Sequence, residues 1–229
     1  VPGAPGGDGF APILTATRVF NVNHHLGVRI ECHELSDGSV CAGYPYSSPT
    51  GAVPGFATGA VVDVPSGPLW VSAQRPGNAG TETGFACINI GQDSSTPPSD
   101  CGWVATGTGA FPTVTNSPGN YGGSVQSGDA YDRKLYAIVS IGAIQCVDMA
   151  TSAACAGQPY NVGLPASDPR GIQLTRIGNT SKFIARVNPP VNLTLFDPPF
   201  NNGGATGPSS VQCFDAVSYT HLTLPTLSP

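Results

Sequence analysis

Residues 134–159 read KLYAIVSIGAIQCVDMATSAACAGQP, and their pattern decides the fold. Leu135, Ala137 and Val139 alternate with Tyr136, Ile138 and Ser140, the two-residue period of a pleated strand, and β-branched and aromatic residues dominate. Gly142 opens a second run over 143–148, and the polar turn 149–152 leads into a third that closes on Cys155. Facing Cys146 across this hairpin with Cys155 puts Val147 opposite Ala154 and Asp148 opposite Ala153, leaving four residues for the loop.

The unit recurs on both sides. A cysteine ends a strand-like run at Ile30-Glu31-Cys32, Phe85-Ala86-Cys87, Ile144-Gln145-Cys146 and Val211-Gln212-Cys213. Three copies place an acid two residues later, at Glu34, Asp148 and Asp215, and the fourth has Asn89. A second cysteine precedes a small residue at Cys41-Ala42-Gly43-Tyr44-Pro45, Cys101-Gly102 and Cys155-Ala156-Gly157-Gln158-Pro159. Upstream of each hairpin stands a strand built around an aromatic: Phe20, Trp70, Tyr136 and Phe183. The first cysteines lie 55, 59 and 67 residues apart. That period holds about four strands of ordinary length with their turns. Four short strands per unit, repeated radially, is how a β-propeller blade is built.

The segment Leu135-Tyr136-Ala137 followed by residues 142–152, GAIQCVDMATS, resembles the blade repeat of PQQ-type propellers, loosely L-Y-A then G-x-V-x-A-L-D-A-x-T-G-K. Asp148 and Thr151 match its turn residues, Ser152 stands where Gly is usual, and Asp37-Gly38 fill the turn of the first copy. The cysteine pairs depart from that family and are similar to a C-x-D-x-x-T-x-x-x-C-x-G-x-P variant in secreted bacterial repeat proteins. The resemblance spans most of residues 18–216, shares features with WD-type blades, and speaks to fold more than chemistry. It implies an all-β, incomplete β-propeller of about three to four four-stranded antiparallel blades with within-blade disulfides.

Composition agrees. Only 10% of residues are charged, Gly (30) and Pro (23) are abundant, and the 40% hydrophobic content falls in short bursts, which excludes both a disordered chain and a helical one. A net charge of −5 argues against a nucleic-acid surface, and no apolar run approaches a membrane span. The expected organisation is a Gly/Pro-rich lead-in at 1–12, a partial propeller at 13–216 with blades at 13–59, 60–115, 116–165 and 166–216, and a tail at 217–229. The first blade shows three strands within 18–45, and the second shows strands at 60–64, 69–73, 84–90 and 102–105. The excursion 188–208 reads as an inserted loop. Residues 217–226, VSYTHLTLPT, match a translated transposase-type sequencing adapter and are read as foreign, so the native protein is expected to be longer and this piece an open fan of sheets.

Seven cysteines are an odd number. The repeat register pairs Cys32 with Cys41, Cys87 with Cys101 and Cys146 with Cys155, and leaves Cys213 unpaired by truncation. Buried free thiols are the alternative; zinc is disfavoured because no C-x-x-C is present. Thirteen residues separate Cys87 from Cys101, an odd number that requires a bulge or an odd loop. Bridges imply an oxidising compartment, extracellular or cell surface, with the periplasm also compatible.

No catalytic residue is assigned. His24 and His25 are adjacent and would point to opposite faces of an extended chain, so a solvated turn explains them better than a metal site. Glu34, Asp148 and Asp215 recur at one repeat position, which indicates turn capping. The adjacent cysteines that the resemblance to quinoproteins would lead one to expect are missing, and no cofactor is assigned. Two functions follow: a non-catalytic extracellular scaffold binding protein or glycan, or a fragment of a propeller enzyme, quinoprotein-like or polysaccharide-active, with its catalytic residues on missing blades.

Overall fold

The alternating runs of the central repeat form paired strands, with Leu135 opposite Val147, Tyr136 opposite Cys146 and Ile138 opposite Ile144. The computed structural model describes residues 12–23, 28–49, 51, 53–54, 60–62, 67–77, 80–108, 128–139, 143–161, 172–187, 210–218 and 220–222. Among them there is no helix, and therefore none long and apolar enough to cross a membrane.

Four antiparallel sheets follow one another along the chain. The first contains β1 (Ile13–Leu14), β2 (Arg18–Asn23), β3 (Arg29–Glu34) and β4 (Tyr46–Ser47), in that order. The second holds β5 (Val53–Pro54), β6 (Ala60–Val62), β7 (Leu69–Gly77), β8 (Gly80–Asn89) and β9 (Ser99–Thr108), with β5 and β6 both paired to β7. The third is β10 (Gly128–Tyr131), β11 (Lys134–Val139), β12 (Ala143–Asp148), β13 (Ala153–Ala154) and β14 (Tyr160–Asn161), the last two both on β12. The fourth is β15 (Ile172–Arg176), β16 (Lys182–Val187), β17 (Ser210–Asp215) and β18 (Thr220–Leu222). Each is a meander of four strand positions, and where a sheet has five strands one edge position is split in two.

Two expectations need correction in detail. Of the three strands expected within 18–45 only β2 and β3 form there, and the first sheet is completed outside that span by β1 and β4, two residues each and too short to show a period. The hairpin of β7 and β8 runs much further than 69–73 and 84–90, pairing through to Gly77 opposite Gly80. Its Arg75 donates to Glu82 at 3.0 Å, so the Gly, Thr and Pro there interrupt the hydrophobic pattern without ending the ladder. In the adapter-like segment, Thr220–Leu222 pairs with β17, Leu222 opposite Cys213.

Period-two alternation gives each interior sheet two apolar faces. Leu69, Val71 and Ala73 join Phe20, Val22 and Ile30 in a core between the first and second sheets. Trp70 and Phe85 point the other way, into a core with Leu135, Ala137, Val147 and Met149 of the third sheet. Tyr136, Ile144 and Tyr160 leave by the third sheet's opposite face and meet Leu174, Phe183 and Phe214 of the fourth. Tyr136 lies 5.1 Å from the Phe183 ring and 6.0 Å from Phe214, tilted in both cases, as aromatic quadrupoles prefer. The first strands of successive sheets adjoin, β1 with β6, β6 with β10, and β10 with β15.

The turns repeat as well. The N–H groups of Leu35, Met149 and Ala216 donate to the carbonyls of Thr17, Arg133 and Ser181, at 2.8, 2.9 and 2.9 Å, tying one turn of a sheet to the next. Asp148 Oδ1 accepts from the N–H groups of Ala150 and Thr151, and Asp215 Oδ1 from those of Val217 and Ser218. In the first sheet the capping oxygen belongs to Asp37, which accepts from the Ser39 N–H at 2.9 Å. The expectation that Glu34 plays this part is thus corrected: an Asx turn needs the shorter aspartate arm.

Candidate functional site

Opposite the recurring acid stands a recurring base. Arg18 is paired across the ladder with Glu34, Lys134 with Asp148, and Lys182 with Asp215. At the corresponding chain positions the second copy has Pro68 and Asn89, so both charges are missing. Here the neighbouring sheet intervenes. Arg18, only 3% exposed, reaches across to the β8–β9 loop, where Nη1 donates to the carbonyls of Ile90 (2.8 Å) and Asp93 (3.2 Å) and Nη2 to that of Gly91 (3.0 Å). Its guanidinium also lies 5.2 Å from the Phe20 ring centroid, a cation–π contact within the first core.

This loop is built to be held. Asp93 Oδ1 accepts from the N–H and hydroxyl of Ser95, at 2.9 and 2.7 Å, and from the N–H and hydroxyl of Thr96, both at 3.1 Å. Those bonds, the Ser95 hydroxyl first, hold the Asp93 carboxyl below its ordinary range. Gly91 adopts a φ of +72°, and a Cβ there would meet Thr96 Cβ at 2.7 Å, so only glycine lets the chain close over the capped turn. The Ala42 N–H of the first sheet donates to Ser94 O at 2.7 Å, and a Cβ on Gly43 would lie 2.8 Å from Pro98 Cδ.

Between this loop and the approach to β7 lies a cleft of about 380 Å³, walled by Pro68, Asn89, Gln92, Asp93 and Thr96. A smaller one, about 310 Å³, occupies the equivalent place on the first sheet, beside Thr17, Glu34 and Ser36. Both sit between the turn that enters a sheet's second strand and the turn that leaves its third. Their walls mix polar side chains and main chain with apolar residues, Pro68 and Ile90 in the larger, Ala16 and Leu35 in the smaller. Such a surface can offer hydrogen bonds to an amide or hydroxyl ligand, and Asp93, already accepting four, is a turn cap and not a proton donor.

The cysteines are placed as follows. Cys32 is bonded to Cys41, Cys87 to Cys101 and Cys146 to Cys155, with Cα separations of 5.4, 5.0 and 5.4 Å, each inside one sheet or its hairpin. The Cys41 and Cys155 N–H groups donate to the Cys32 and Cys146 carbonyls, both at 3.1 Å. Cys213 is a free thiol, buried. The odd spacing in the second copy resolves as a bulge: Cys87 is opposite Gly102 and Ile88 opposite Asp100, so Cys101 is the extra residue. His24, His25 and the excursion 188–208 lie outside the described residues. His33 sits with Nδ1 3.2 Å from Gly38 O, and among the described residues no group of His, Cys, Asp or Glu could hold a metal ion.

Two sets of buried polar residues escape the motif reading. Arg18 is one; its signal is the base–acid pairing that the second copy lacks. The other joins the second and third sheets. Thr106 Oγ1 donates to Gln145 Oε1 at 2.6 Å, and Gln145 Nε2 donates to Thr83 Oγ1 at 2.8 Å. Gln145 sits beside the conspicuous Cys146, at a position where a strand's alternation alone does not reveal a buried amide.

No family model matches the sequence, and no curated protein does. Among solved structures, the chain is similar to apo AztD from Citrobacter koseri, at 10% identity and a TM-score of 0.48. The match covers 94% of this chain and 46% of that one, so the chain spans less than half of that structure's length.

Proposed function

We propose that the chain is a non-catalytic β-propeller scaffold, part of a longer secreted or cell-surface protein, which binds an extracellular protein or glycan at its turn-lined rim. The observation that carries this reading is the packing of the sheets: successive first strands adjoin while interior sheets are buried on both faces, the arrangement radial repetition requires. Each proposed blade, at 13–59, 60–115, 116–165 and 166–216, would then correspond to one sheet, with β5 of the second sheet falling before 60 and β18 of the fourth after 216. Three disulfides support an oxidising compartment.

The rim clefts support a binding role. Their polar side chains and turn carbonyls suit ligands rich in hydroxyls or amides, and Arg18 together with the Asp93 cap keeps the larger cleft's wall in place. The test is binding of immobilised oligosaccharides and extended peptides to the full chain, compared with Asn89→Ala and Gln92→Ala variants. Binding weakened about tenfold or more by either substitution is expected, corresponding to about 1.4 kcal/mol. Turnover of a polysaccharide, or of an alcohol with added quinone, at rates these variants do not change would overturn the reading in favour of an enzyme.

A further inference from the structure

The three bridges differ in their surroundings. Cys32, Cys41, Cys146 and Cys155 are all buried, the most open of them 7% exposed. Cys87 is buried too, at 4%, but its partner Cys101 lies exposed on β9. The bulge is the cause. As the extra residue, Cys101 has no opposite number on β8, and the kink is completed by Gly102 at a φ of +119°. β9 also ends the strand order of its sheet. Access therefore separates this bridge from the others, and thiol–disulfide exchange requires an attacking thiolate to reach a sulfur.

We infer that Cys87–Cys101 is a redox latch on the β8–β9 loop, opened by thiol reductants while the other two bridges stay closed. A thiolate of a dithiol reductant, either a small molecule or a C-x-x-C protein, attacks Sγ of Cys101. A mixed disulfide forms and Cys87 departs as a thiolate that takes up a proton. The reductant's second thiolate then attacks its own sulfur in the mixed disulfide, which releases Cys101 and oxidises the reductant by two electrons. Beyond the bulge β9 is joined to β8 by two residue pairs alone, Ile88 with Asp100 and Asn89 with Ser99. With the bridge open, this short end of the ladder has no covalent support. The middle of the loop stays with the first sheet through Arg18 and the Ala42–Ser94 bond. Reduction thus moves the loop's main attachment from its own sheet to its neighbour and loosens the Asn89 wall of the cleft. The latch follows from the bridge's exposure and stands whichever ligand, if any, the rim binds.

The test is a timed reduction of the full wild-type chain with dithiothreitol under native conditions. Open thiols are alkylated and mapped by peptide mass, and hydrogen exchange is followed in parallel. Cys213, already a thiol, is scored separately. Expected is labelling of Cys87 and Cys101 at least about tenfold faster than of the other four bridge cysteines, with faster exchange over 88–100 and none over 134–148. Simultaneous opening of all three bridges, earlier opening of either of the others, or an opened Cys87–Cys101 with unchanged exchange over 88–100 would each overturn the inference.

Discussion

Replacing Arg18 with alanine removes a buried side chain that binds the first sheet to the main chain of the β8–β9 loop. The Ile90 carbonyl, in a buried bond of 2.8 Å, loses its donor, at about 1–3 kcal/mol. The Gly91 and Asp93 carbonyls are in part-buried bonds and regain water, so they add about 0.5 kcal/mol each. Loss of the guanidinium over Phe20 adds about 0.5–1 kcal/mol, and relief from burying a cation without a carboxylate among its bonded partners offsets part of this. The net is about 3 kcal/mol, or a fall in Tm of about 6–12 °C for a domain of this size. Arg18→Lys should recover only part, because an ammonium on a single stem cannot span three carbonyls as a planar fork does. Lys134→Ala and Lys182→Ala, at the same repeat position, serve as controls and should cost no more than about 0.5 kcal/mol. Thermal and urea unfolding monitored by circular dichroism measure all four. An Arg18→Ala protein within about 0.5 kcal/mol of the wild type, or an Arg18→Lys protein equal to it, would show that the loop is held by other means.

Three further outcomes are expected. Gln145→Leu strips both bonds from the buried Thr106–Gln145–Thr83 set and should cost about 2 kcal/mol in urea unfolding; a cost near zero would mean that the bonds the two hydroxyls also donate, to the Thr83 and Gly107 carbonyls at 3.3 Å each, satisfy them alone. The Tyr44 hydroxyl is buried with no hydrogen-bond partner among the described residues, so Tyr44→Phe should be neutral or stabilising by up to about 1 kcal/mol, and a loss of stability would reveal a hidden partner. Burial pushes the Tyr44 phenol up to about 12 from 10.0, so its contribution is complete below pH 10.0 and fades as pH rises through about 12; alkaline unfolding should start later in the phenylalanine variant. Asp93 shifts the other way: what its cap contributes is complete above its ordinary 3.8 and is lost as pH falls through its lower folded value, so the Ser95 and Thr96 amide resonances should titrate together below pH 3.8, and independent titration would contradict the shared cap.

What the sequence discloses and what it hides divide along physical lines. The hairpin after Cys146 is legible because its two cysteines fix the register across the turn, which pairs Val147 with Ala154 and Asp148 with Ala153. In the second sheet parity narrows thirteen intervening residues to a bulge or an odd loop, and the ladder takes the bulge. The strands β1, β4 and β14 are not legible, because two residues carry no period. The rim is hidden for a different reason. Its clefts are lined by turn backbone, whose position depends on contacts between sheets that a repeat read copy by copy does not contain. Arg18 shows this most clearly: in its own copy it faces Glu34 across the ladder, and the repeat assigns it the same local pairing as Lys134 and Lys182. The second copy has Pro68 and Asn89 where the others keep a base and an acid. A loop without its own pair leaves carbonyls to be satisfied, and the nearest base on the facing sheet satisfies them. A gap in one repeat therefore locates a contact made by its neighbour, and in a stack of sheets such departures point to the surface where binding is proposed.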